Sequence, residues 1–85
     1  MSDWILTKDR RPSIIKGYDY ARPERYCERS NIVQIISPEG KTELAKLARI
    51  YDFGDVTYEW HMPNSLKAYS LYEVVKWRKY GWQCN

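Results

Sequence analysis

Between Asn31 and Met62 the spacing of apolar residues changes rhythm, and each change marks an element. Ile32, Val33, Ile35 and Ile36 form a dense β-branched run, stiff at χ1 and suited to a pleated surface, which predicts a strand. Ser37-Pro38-Glu39-Gly40 follows; Pro presets φ for a turn and Gly supplies the positive φ that closes a three-residue hairpin loop with a bulge. Past Tyr51, Val56, Tyr58, Trp60 and Met62 alternate with Asp55, Thr57, Glu59 and His61, the period of a half-buried strand. Thr42 to Tyr51 has two readings. On a helical wheel Leu44, Leu47, Ala48 and Tyr51 share a face opposite Lys46 and Arg49, with Ser37-Pro38-Glu39 available as the cap. Against the helix stand Gly40 at its third position and the hairpin's need for a returning partner, while each face of the corresponding strand is mixed. The residues themselves leave helix and strand open.

The flanks are less regular. Met1 to Leu6 offers a short strand or an anchoring segment, ended by Lys8-Asp9-Arg10-Arg11-Pro12. Ser13 to Ser30 shows no sustained period and reads as a long connection, a feature that is usually functional or disordered; Tyr18, Tyr20 and Tyr26 argue against wholesale disorder. Pro63 to Ala68 turns the chain, with Asn64-Ser65 as turn or cap residues. Tyr72 to Tyr80 alternates, and Val74, Val75 and Trp77 favour a strand. The expected fold is a mainly β protein, a small antiparallel meander of three to five strands. These include Ile32 to Ile36, Val56 to Met62 and Glu73 to Arg78, with Trp60 and Trp77 at least partly buried. The fold becomes α+β if Thr42 to Tyr51 is helical.

Eighty-five residues make a single domain that buries only about 60 to 65% of its unfolded surface. Aromatic residues make up 15% of the chain, four Trp and eight Tyr against one Phe, and each large ring buries roughly 150 to 250 Å². The net charge of +3 permits a polyanionic partner without requiring one. Cys27 and Cys84 have no metal-ligand spacing with each other or with His61. The expectation is two thiols in a reducing compartment, with a Cys27 to Cys84 bridge as the alternative. Neither a signal-peptide apolar region nor a run of about 20 apolar residues is present, so a soluble, cytoplasmic protein without a membrane partner is expected.

The opening Trp4-Ile5-x-Thr7-x-Asp9-Arg10-x-Pro12, a β-hairpin with a Gly turn, an aromatic strand and a closing Val74-Val75-x-Trp77-Arg78 resemble a short phage and prophage protein family of unknown function. The likeness is specific at the two ends of the chain, and Ser13 to Ser30 looks like an insertion relative to shorter members. It implies that Thr42 to Tyr51 is the second strand of a meander, and it supplies a phage setting but no catalytic residue.

His61 is the only histidine, on the polar side of its strand with no nucleophile motif nearby, and is expected to be a rim residue. Asp52, Asp55 and Glu59 read as solvent-facing charges beside a turn. With no Gly-rich phosphate loop, CxxC or GxSxG, no enzyme activity, catalytic residue, metal site or cofactor is expected. Charge is distributed unevenly: Lys8 to Arg29 holds seven cations and four anions, Lys67 to Asn85 four and one, and Glu39 to Glu59 three and five. The basic residues interleave with rings, which makes Arg10, Arg11, Arg22, Arg25, Tyr26, Lys76, Arg78, Tyr80 and Trp82 the candidate binding residues. Such a set suits a protein interface, where Tyr, Trp and Arg concentrate binding energy. The expected partner is a larger host protein, a defence factor among the candidates, that this protein modulates or inhibits. Weak single-stranded nucleic-acid binding is the alternative. The bland reading is that Trp77 and Tyr72 are core and the cations a solvated face.

Overall fold

The computed structural model describes residues 3–15, 25–63 and 65–80. Among these residues eight strands run in chain order: β1 (Ile5–Leu6), β2 (Ile14–Ile15), β3 (Arg25–Ser30), β4 (Val33–Ile36), β5 (Thr42–Asp52), β6 (Asp55–His61), β7 (Ala68–Ser70) and β8 (Lys76–Lys79). All pairings are antiparallel. The fold is therefore mainly β, and Thr42 to Tyr51 is a strand, as the resemblance implies. The strand count exceeds the expected three to five, because the two- and three-residue strands carry too few alternating positions to register as a pattern.

β5 organises the molecule. Its first half lies in a sheet ordered β1-β8-β4-β5, its second half in one ordered β2-β3-β5-β6-β7. Hairpin chemistry fixes both ends of β5. At β4–β5, the Gly40 amide donates to the Ser37 carbonyl at 2.8 Å and Gly40 sits at φ 83°, which is the expected turn and bulge. At β5–β6, Phe53 (φ 50°) and Gly54 (φ 88°) form the two-residue loop whose twist matches that of paired strands.

β3 and β4 follow one another along the same edge of β5, but in different registers. Arg29 stands opposite Ala48 and Val33 opposite Ala45, so Ser30, Asn31 and Ile32 face only Lys46 and Leu47. This is a β-bulge, which adds a residue, bends the strand and interrupts the ladder. Ser30 repairs the interruption: its buried hydroxyl accepts the Leu47 amide at 2.9 Å and donates to the Asn31 carbonyl at 2.8 Å.

The core lies under the odd-numbered face of β5. Val33, Ile35, Ala45, Leu47, Trp60, Met62, Tyr69, Leu71, Val74 and Trp77 form one buried cluster. Trp60 is 0% and Trp77 1% exposed, as their strand positions require. Each indole N–H finds a carbonyl, Leu71 for Trp60 at 3.0 Å and Arg10 for Trp77 at 2.7 Å, so burial leaves no orphaned donor.

Two sequence expectations need correction. The stretch read as a long connection contains β2 and β3. β3 carries no alternating apolar signal because Glu28 and Ser30 take its inward positions, which inverts the usual polarity. The strand expected over Glu73 to Arg78 begins only at Lys76. Leu71–Glu73 is a 3₁₀ turn, closed by a capping box in which the Ser70 amide and hydroxyl both donate to the Glu73 carboxylate, at 3.2 and 2.6 Å. Among the described residues no helix is long and apolar enough to cross a membrane.

Candidate binding surface

Residues directly opposite in antiparallel strands share a face, so the register fixes what the outer side of the sheet presents. Leu6 faces Lys76, Arg78 faces Gln34, and Gln34 faces Leu44. Trp77 points the other way, into the core, which leaves Lys76 and Arg78 on the outer surface. Trp4, one residue before the inward Ile5, lies between them. The Arg78 guanidinium carbon is 4.5 Å and the Lys76 ammonium 5.7 Å from its ring centroid. Arg78 Nε donates to Gln34 Oε1 at 2.6 Å, holding the guanidinium in register with the ring. Exposed Tyr80 follows two residues beyond Arg78, and Leu6 and Leu44 supply exposed apolar area. The result is a pre-organised aromatic patch with two cations, each worth about 0.5–1 kcal/mol against the ring at such exposed sites.

Trp4 is absent from the sequence-derived set, although its alternation with inward Ile5 signals an outward ring. Of that set, Lys76 and Arg78 meet at the Trp4 ring, and exposed Tyr80 follows just past the end of their strand. Arg11 lies elsewhere, 4.5 Å over the Tyr58 ring with Nη2 3.4 Å from the Tyr72 hydroxyl. The Arg10 side chain is exposed, and its backbone carbonyl receives the Trp77 indole. Arg25 and Tyr26 begin β3, opposite Asp52 and Tyr51. Arg22, Trp82 and Cys84 lie outside the described residues. Tyr72, one of the rings considered for the core, is mostly exposed.

Farther along the outer face, where Ala48 is flanked by Arg29 and Glu59, a groove of about 620 Å³ opens. Arg29, Lys46 and Lys67 line it over Ile32 and Met62. Its acid, Glu59, is occupied by His61 at 3.0 Å. His61 is thus a half-exposed rim residue.

Charge inside the curl is held by contacts between strands. Arg49 lies between Glu28 and Tyr58 across three strands, with a 2.7 Å ion pair to the buried Glu28. That hydrogen bond keeps the guanidinium charged above its ordinary range. The Tyr69 hydroxyl reaches Glu43 Oε2 at 3.1 Å and Glu39 Oε2 at 3.3 Å. Desolvation, reinforced by these carboxylates, pushes its pKa up to about 12. Among the described residues no three His, Cys, Asp or Glu side chains cluster closely enough to hold a metal ion.

Comparison with protein-family models, curated proteins and solved structures finds no match.

Proposed function

We propose that this is a small, non-enzymatic binding protein that modulates or inhibits a larger host protein by covering part of its surface, in the manner of a phage accessory protein. The observation that carries the proposal is the outer patch of Trp4, Lys76 and Arg78, with its ring and guanidinium already locked together. A Trp and an Arg fixed in place lose little rotamer freedom on binding, and residues of these types dominate interface energetics. The two cations favour an acidic partner surface. The phage setting rests on the opening and closing segments of the sequence.

Affinity capture from host lysate, with wild type and Arg78→Glu in parallel, tests the reading. A stoichiometric protein held by wild type and released by Arg78→Glu is the expected outcome. Turnover of a small substrate that His61→Ala abolishes would overturn it.

The same patch supports a second reading, single-stranded nucleic acid stacked on Trp4 with phosphates on Lys76 and Arg78. Affinity for an oligonucleotide then falls with salt at a log-log slope of roughly −0.7 per neutralised phosphate, a slope that Arg78→Ala flattens. Salt-insensitive or absent binding removes this reading.

A further inference from the structure

The β5–β6 turn combines two features that oppose folding. Phe53 holds φ at 50°, a region where Asn, Asp and Gly are favoured and a bulky side chain is strained. It is the only Phe in the chain, yet it is 74% exposed instead of filling a thin core. Asp55, the first residue of β6, puts an exposed carboxylate beside it. Strain of this kind, on a side chain with no packing role, points to a contact made outside the chain. The tip is an exposed ring with the exposed Asp55 carboxylate next to it, continued by exposed Val56.

The groove on the outer face has the complementary chemistry. Arg29 and Lys46 make no hydrogen bond or ion pair among the described residues. Lys67 adds a third cation. Ile32 and Met62 give an apolar floor, and Glu59 is occupied by His61. A cavity of about 620 Å³ is within the size range of sites that enclose a small ligand and admits a phenyl ring.

We infer that the occupant of this groove is the acidic, aromatic turn of a second copy of the chain. The turn cannot reach its own groove: Asp55 and His61 sit at opposite ends of β6, six residues and about 20 Å apart at roughly 3.3 Å per residue. Two copies with their β5–β6 arms side by side and antiparallel bring each turn to the other's groove. The contact is then made twice, and the assembly closes as a two-fold dimer. Two rings and their surrounds place it at the small end of specific interfaces, so the dimer is of roughly micromolar affinity or weaker. This inference uses a surface separate from the Trp4 patch and is independent of the proposed function.

Sedimentation equilibrium over a wide concentration range tests it. Wild type is expected to pass from monomer to dimer and no further, with the dimer weakening as salt rises. Phe53→Asn places a residue suited to this turn, so the fold is retained, and the dimer weakens roughly tenfold or more. Lys46→Glu and Asp55→Lys each weaken it as well, while the double variant Lys46→Glu/Asp55→Lys, which restores opposite charges, recovers it. A protein that stays monomeric at every concentration overturns the inference. So does a dimer that Phe53→Asn and Lys46→Glu both leave unchanged.

Discussion

Ser30→Ala isolates the bend on which the two half-sheets depend. The bulge interrupts the ladder at Leu47, and there the Leu47 amide donates to the Ser30 hydroxyl at 2.9 Å. Ser30 is 3% exposed and Leu47 0%, so water cannot take the hydroxyl's place without opening the core. Removing the hydroxyl strands a buried donor, at a cost of about 1–3 kcal/mol. In a domain of this size each kcal/mol lowers Tm by about 4–8 °C, so a fall of roughly 4 to 24 °C is expected in a thermal melt. Urea unfolding should show the same loss as a lower midpoint with an unchanged slope. Ser65→Ala is the control: its hydroxyl accepts an amide at 3.1 Å from Lys67 in an exposed loop, where water substitutes and the change stays within about 0.5 kcal/mol. If Ser30→Ala is as stable as Ser65→Ala, the hydroxyl does not support the bend and the reasoning fails.

Other outcomes follow from the same structure. Trp60→Ala empties the centre of the core and breaks the bond to Leu71, costing about 3–5 kcal/mol by urea unfolding. Glu28→Ala removes the partner of Arg49 from a mostly buried ion pair and costs about 1.5–3 kcal/mol; Glu28→Gln costs less because it keeps an acceptor. Tyr69 has a raised pKa in the folded state, so its contribution is complete below pH 10 and is lost as pH climbs towards about 12. Tyr69→Phe should flatten the stability profile across that window. The hydrogen bonds from Ser70 hold the Glu73 carboxyl below its usual range, so its contribution is present at neutral pH and lost as pH falls through its folded value. Glu73→Gln should therefore be less stable than wild type at pH 7, and the gap should close in acid.

Particular residues explain what was legible in the sequence. Gly40 and Pro38 specified the first hairpin because only a few turns accept them, and the alternation around Trp60 specified β6 because one face is buried. Along β6 the pattern weakens toward the tip, where Val56 is 46% exposed; the alternation gives a face, and the tertiary fold decides how far it is covered. β5 was ambiguous because its inward side mixes Leu47 with Arg49 and Glu43, polar groups satisfied only by strands distant in sequence. The same cause hid β3, whose inward Glu28 is tolerable only opposite Arg49. The bulge left no local signature, since it arises from two registers meeting on one partner strand. At the candidate surface, Lys76 and Arg78 were legible from their spacing on either side of Trp77. Trp4 was not, because its role comes from β1 pairing with a strand about 70 residues away.

Oxidative footprinting of side chains, on the free protein and on the complex with its captured partner, tests the binding surface most directly. Protection of Trp4 and Tyr80, with Leu66 and Tyr72 as reactive as in the free protein, is the expected result. Protection confined to other side chains, with Trp4 as reactive as before, would show that the partner binds elsewhere and that the patch is not the functional surface.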